Sequence, residues 1–192
     1  MKFISRLAFI STHTSPLARP GTTKVGGMNV YIAELTAQLG GSGCEVDIFT
    51  RRDAPDLLPD IELAPNVRVV HIDAGRAAPL DPVAIEPWLP EFLDGVCAYA
   101  AEREREYSLI HSHYWLSGLV GLGLADRWHV PHVAMFHTLG EVKNRARRAE
   151  REPPARIEAE RRIVAAADRL ICATPHERDF LVQLYGAQRE CV

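Results

Sequence analysis

Short apolar runs alternate along this chain with stretches in which apolar residues recur every three or four positions. Leu7-Ala-Phe-Ile10 is a run expected of a strand buried on both faces, and Leu7 to Ser11 is read as the first strand. Met28, Ile32, Leu35 and Leu39 then fall on one stripe of a helix from Met28 to Leu39, stopped by Gly40, Gly41 and Gly43. Cys44 to Thr50 and Asn66 to Ile72 read as the second and third strands, separated by a loop, Asp53 to Pro65, with three prolines. A second proline-rich loop, Ala74 to Pro87, leads into a helix with Leu89, Phe92, Val96 and Tyr99 on one side. Ser108 to His111 is the fourth strand, followed by a helix carrying Leu116, Val120, Leu124 and Trp128, and Pro131 to Phe136 is the fifth. Gly140 to Pro154 is polar and arginine-rich, and a helix follows from about Ala155 to Ala167. The sixth strand is Arg169 to Ala173. Thr174-Pro-His-Glu177 is a capping box with proline at the first helical position, opening a last helix with Phe180, Leu181 and Leu184.

This alternation predicts an α/β fold: a doubly wound, mainly parallel sheet with helices on both faces. Such sheets bind ligands beyond the carboxyl ends of their strands. Chemistry is therefore expected after strands one, four and five, at Gly26-Gly27, His111-Ser-His-Tyr-Trp115 and His137-Thr-Leu-Gly140.

Gly26 and Gly27 stand where the first helix begins. Without side chains they let a ligand approach the backbone, and a helix start favours an anion such as phosphate. A nucleotide diphosphate is the first ligand to consider, and a plain tight turn is an equal alternative. The spacing is neither the dinucleotide pattern nor the P-loop pattern. His113 and Tyr114, after the fourth strand, have the chemistry to grip a sugar or a phosphate, or to satisfy a strand end. His111 fits that structural role better, and Trp115 fits packing. His137 and Thr138 follow the fifth strand, where an imidazole can orient a hydroxyl or shuttle a proton. His71, His129, His132 and His176 read as structural or surface residues. Lys143, Arg145, Arg147, Arg148 and Arg151 form a basic run. Lys143 and Arg156 flank a loop facing the expected cleft, where fixed positive charge suits a phosphorylated acceptor. An Arg156–Glu160 pair along one helix is the competing account. His111-x-His113 alone makes no metal site.

The composition narrows the class. The chain has 192 residues, enough for one well-cored domain, and its 47% apolar content is ordinary for a globular protein. A formal charge of −3 gives no reason to expect nucleic acid. Cys44, Cys97, Cys172 and Cys191 are scattered and read as reduced thiols. The N-terminal apolar run is too short for a signal peptide, and Leu116 to Ala125 is too short to span a bilayer. The expectation is a soluble, cytoplasmic protein without a membrane partner.

Ser11-Thr-His-Thr-Ser-Pro16, Gly26-Gly-Met-Asn-Val-Tyr31, His111-Ser-His-Tyr-Trp-Leu-Ser-Gly118, His137-Thr-Leu-Gly-Glu-Val-Lys-Asn144, Arg156-Ile-Glu-Ala-Glu160 and Ala167-Asp168 together resemble the retaining glycosyltransferases of family 4. Within that family the likeness is greatest to the group that starts mycothiol synthesis and to sucrose-phosphate synthases. The resemblance implies that residues 1–192 are a Rossmann-like, acceptor-side domain, the N-terminal half of a GT-B fold. The second domain, which binds most of the nucleotide sugar, would be absent from this chain, leaving it inactive or poorly active alone. The implied reaction transfers a sugar from a nucleotide-diphosphate sugar to a small sugar or cyclitol acceptor, free or phosphorylated. No separate cofactor and no metal are implied. By position, the Gly26 and Gly27 backbone would touch the donor diphosphate, and His137, the catalytic candidate, would contact the transferred sugar. Asn29, Tyr114, Thr138, Lys143 and Arg156 would bind the acceptor or its phosphate. Relatives with phosphorylated acceptors tend to carry a lysine where this chain has Pro82, so one phosphate contact would be missing. A non-catalytic binding or interaction domain of the same fold is the alternative. A GT-B-like epimerase ranks third, and a nicotinamide oxidoreductase is the weakest reading.

Overall fold

The computed structural model describes residues 6–18, 26–147 and 151–192. The expected strand pattern at residues 1–5, the loop residues 19–25, and Arg148 and Glu150 of the basic stretch lie outside the described residues.

The first strand, β1 (Arg6–Ile10), is the middle of a seven-stranded sheet. β2 (Glu45–Arg51), β3 (Asp60–Ala64) and β4 (Val67–Ile72) lie to one side of it; β5 (Leu109–His113), β6 (His132–Met135) and β7 (Arg169–Ile171) lie to the other. The spatial order is β3-β4-β2-β1-β5-β6-β7, and every pairing is parallel except β3 with β4. The helices are α1 (Gly27–Gly41), α2 (Pro82–Ile85), α3 (Leu89–Glu102), α4 (Trp115–Trp128), α5 (Gly140–Ala146), α6 (Pro154–Ala166) and α7 (Pro175–Tyr185).

Side chains alternate across β1, so its two faces bury different cores. Leu7 and Phe9 join Ile32, Val46, Ile48, Val67 and Val69 on the α1 side. Ala8 and Ile10 join Phe49, Phe92, Leu116 and Ile163 on the side of α3, α4 and α6. Being buried on both faces explains why β1 reads as an unbroken apolar run.

The chain winds outward from β1 through β2 to β4, then returns to place β5 against the other side of β1. The carboxyl ends of β1 and β5 therefore flank the crevice where strand order reverses, the usual ligand position in such sheets.

Several boundaries differ from the sequence reading. β3 lies within the expected loop 53–65: Ile61 and Leu63 alternate with Glu62, and Pro59 and Pro65 flank the strand. It is an antiparallel edge strand with a register shift between Glu62 and Ala64. The loop 74–87 contains α2, with Pro82 at its first turn, followed by a short 3-10 turn, Glu86–Trp88. β5 runs two residues beyond His111, so His113 is a strand residue. The arginine-rich stretch opens with a helix, α5. The forward half of the capping box at α7 forms, Thr174 Oγ1 accepting from Glu177 N–H at 3.1 Å, while Glu177 Oε2 reaches one residue past the N-cap and accepts from Ala173 N–H at 2.8 Å.

Candidate functional site

The loops after β1, β5 and β6 meet around a cavity of about 440 Å³ lined by His13, Thr14, Gly26, Gly27, Met28, Asn29, Tyr114, His137 and Thr138. The three stretches singled out by their place after strands thus converge on one opening. A second cavity of about 390 Å³ shares His137 and Thr138 and continues along Lys143, Thr174, His176 and Phe180.

Gly26 and Gly27 are exposed at the start of α1, with Gly26 as its N-cap. A Cβ built on either would meet no atom of the described residues within 4 Å. Packing against those residues therefore does not require their bareness. Asn29 is buried beneath them; its Nδ2 donates to Thr14 Oγ1 (2.7 Å) and to the Ser15 carbonyl (2.8 Å), tying the loop after β1 to α1.

Tyr114 alone joins β5 to α4. Its N–H continues the β5–β6 ladder by donating to Met135 O at 2.8 Å. The next residue is already helical, which forces Tyr114 to φ 78°, ψ 161°, a region that suits glycine. The ring packs against His13 at 4.4 Å between centroids, and the Arg156 guanidinium lies 4.8 Å from its centroid on the other side. His137 also has positive φ, 61°. Two residues with unusual backbone thus line one cavity.

Arg156 stands one layer behind that wall, with its side chain 1% exposed. Its Nε donates to Glu160 Oε1 at 2.8 Å, and its Nη1 to Glu152 Oε2 at 2.9 Å and Tyr114 Oη at 3.0 Å. Its Nη2 donates to the Thr138 carbonyl at 2.8 Å and to Thr138 Oγ1 at 3.0 Å. The Arg156–Glu160 pair foreseen as the competing account forms, and the same guanidinium also steadies both polar side chains on the cavity wall. Lys143 pairs with the other oxygen of Glu152. Glu160 is fully buried and accepts from Gly140 N–H with both oxygens (3.1 and 3.0 Å) and from Tyr185 Oη (2.5 Å). That carboxylate caps α5 from α6, a partner 20 residues away that local spacing does not reveal. The Arg156-x-x-x-Glu160 spacing showed the helical pair, but neither the cap that Glu160 gives α5 nor the part of Glu152 between Arg156 and Lys143 was visible in the sequence.

His113 is a further correction. It does not line the cavity; it is fully buried in β5 beside His111, their centroids 4.3 Å apart, as expected for residues i and i+2 on one strand face. Its Nδ1 lies 2.9 Å from His137 Nε2. Burial, reinforced by the neighbouring His111 and His137, holds His113 well below the ordinary imidazole pKa. Burial alone lowers His137 to about 4. Both rings are neutral near pH 7.

Among the described residues, no group of three His, Cys, Asp or Glu could hold a metal ion, and no helix is long and apolar enough to cross a membrane.

Comparison with known proteins bears on the family and the fold. The chain is 50% identical over 191 residues to a D-inositol 3-phosphate glycosyltransferase of Streptomyces bingchenggensis, a match covering 97% of this chain and 42% of that protein. It spans about two fifths of the length of the curated relatives it matches. A sucrose-phosphate synthase from Thermosynechococcus elongatus superposes with a TM-score of 0.85 at 34% identity, over 92% of this chain and 44% of that one. Anabaena HepE, solved in complex with UDP and glucose, shares the fold at 14% identity with a TM-score of 0.64, over 97% of this chain and 42% of that one. The family described as a glycosyl transferase 4-like domain matches residues 26–192. With that match spanning most of the sheet and the whole site after β5 and β6, the chain belongs to the glycosyl transferase 4-like family.

Proposed function

We propose that this chain is the acceptor-side half of a retaining, family 4 glycosyltransferase of GT-B architecture, working in the cytoplasm. In this reading a nucleotide-diphosphate sugar donates its sugar to a small sugar or cyclitol acceptor. The observation that carries the proposal is the convergence of Gly26, Gly27, Tyr114, His137 and Thr138 on one cavity at the point where strand order reverses.

Each wall has a task. The bare backbone of Gly26 and Gly27 suits the donor diphosphate. His137 contacts the transferred sugar. Tyr114 and Thr138 present hydroxyls already held by the Arg156 guanidinium, so an acceptor phosphate placed there meets oriented O–H donors, the Arg156 charge itself being balanced by Glu152 and Glu160. Lys143 adds charge from α5, and Asn29 fixes the loop that frames the acceptor. The D-inositol 3-phosphate glycosyltransferase and sucrose-phosphate synthase among its relatives support a phosphorylated acceptor class. Pro82 opens α2 and supplies no cation, so the Tyr114 and Thr138 hydroxyls, held from behind by Arg156, and Lys143 carry the phosphate contact. As the sugar–diphosphate bond breaks, a diphosphate oxygen takes the acceptor hydroxyl's proton, and no protein nucleophile is needed. A second, nucleotide-sugar-binding domain, as in the longer relatives, completes the cleft.

The test joins this chain to the C-terminal half of the Streptomyces bingchenggensis relative and measures glycosyl transfer to phosphorylated and unphosphorylated cyclitols. Transfer is expected, and His137→Ala should reduce turnover by about 100-fold, far more than its effect on stability accounts for. Equal turnover in the variant refutes the role of His137, and absence of transfer to any acceptor refutes the reading.

A further inference from the structure

Neutral imidazole carries one N–H and one lone pair, so two hydrogen-bonded neutral histidines must agree on which is the donor. His113 and His137 face this constraint, with His113 Nδ1 and His137 Nε2 2.9 Å apart. Two arrangements satisfy that contact. In one, His137 donates from Nε2 and His113 carries its own proton on Nε2. In the other, His113 donates from Nδ1 and His137 carries its proton on Nδ1.

The surroundings of His113 separate them. Its Nε2 is buried and has no hydrogen-bond partner among the described residues. Around the ring lie Phe9 (5.5 Å between centroids), His111 (4.3 Å) and Tyr31 (5.9 Å). A proton on Nε2 would be a buried N–H without an acceptor, one of the rarest features of folded proteins. An unused lone pair there is tolerated far better, because an unsatisfied buried donor carries its full desolvation cost. His113 therefore keeps its proton on Nδ1.

We infer that His113 is a positioning residue: by donating Nδ1–H to His137 Nε2, it locks His137 in the tautomer with its proton on Nδ1. With Nε2 turned inward, Nδ1 is the nitrogen left for the cavity. The site then presents a hydrogen-bond donor there, not a lone pair. His137 orients an oxygen of the ligand, such as a sugar hydroxyl accepting its N–H, and does not serve as a general base. That resolves the two tasks open to an imidazole at this sheet edge. The strand register supports the device: His113 pairs with Met135 across β5 and β6, and the left-handed turn at His137 brings its ring back over His113. The tautomer stands on geometry alone, whereas its bearing on sugar binding rests on the function proposed above.

The experiment is ring-15N NMR of the 192-residue chain, reading which nitrogen of His137 carries the proton near neutral pH. Nδ1–H on His137 is expected. A proton on His137 Nε2 overturns the inference. His113→Asn places an amide N–H near the lost Nδ1 and should preserve the His137 pattern, whereas His113→Leu should give mixed tautomers. If His113→Leu does not fold, the wild-type and Asn spectra still decide. In the two-domain chimaera, His113→Leu should lower kcat roughly tenfold with little change in acceptor KM, and His113→Asn should recover most of it. Unchanged kcat in a leucine variant with altered tautomers overturns the positioning role. The expected tautomer in a chimaera that transfers no sugar supports the lock and refutes the proposed function instead.

Discussion

Lowering the pH from 7 to 5 should strongly destabilise this domain through its histidines. Burial holds His111 at about 3, His132 and His137 at about 4, and His113 well below its ordinary value. Neighbouring histidines add to the effect at His111 and His113, whereas Asp168 partly opposes it at His132. In the unfolded chain each titrates near 6.5, so between the two values the unfolded state binds more protons. The sign follows: this stability is present in full above about pH 6.5 and is lost as pH falls toward the folded values. From pH 7 to pH 5 each such histidine removes roughly 2 kcal/mol, and the four together on the order of 7 kcal/mol. A domain of this size has about 5–15 kcal/mol in total. Urea unfolding followed by tryptophan fluorescence at steps across this range gives the proton uptake as the slope of stability against pH. Roughly three protons are expected near pH 5.5, and His137→Gln should remove about one. Uptake below about one proton in the parent chain refutes the neutral, buried cluster.

Three further outcomes test other walls of the site. Gly27→Val should change stability by no more than about 0.5 kcal/mol, because its Cβ meets no atom of the described residues. Calorimetry on the chimaera should show weakened nucleotide-sugar binding, and unchanged affinity would mean the glycines only turn the chain. Gly140→Ala places a Cβ 2.6 Å from Ile157 Cδ1 and 3.2 Å from Arg156 Nε and Glu160 Oε2. It should cost about 1–3 kcal/mol in urea unfolding, and no cost would show slack packing between α5 and α6. Glu160→Gln removes one of two carboxylates facing Arg156 and should destabilise by about 3 kcal/mol; a neutral result would assign the pair's work to Glu152.

The parts of the fold legible in the sequence are those set by local patterns. Leu7 to Ile10 is apolar on both faces because both faces are covered, and the stripe from Met28 to Leu39 points at one core. Gly26-Gly27, Tyr114 and His137-Thr138 were found because a parallel sheet fixes where loops gather, without any contact being known. Contacts distant in sequence were hidden. The cap on α5 comes from Glu160 on another helix, so the arginine-rich stretch showed no helix start. β3 hid among prolines because its pairing with β4 and its place at an edge are tertiary facts. His113 looked like a ligand contact because β5 appeared to end at His111. The ladder bond from Tyr114 to Met135 marks where pairing along that strand ends, and it is invisible in one dimension.

That bond has a consequence for how position 114 can change. A side chain there is held in backbone territory where glycine alone is comfortable, at a cost of about 1–3 kcal/mol. Backbone strain alone would favour glycine, whereas the ring's contacts with His13 and Arg156 and, under the function proposed above, sugar transfer favour tyrosine. Among variants sorted on thermal tolerance and then on turnover, the residue at 114 would record which pressure acted last.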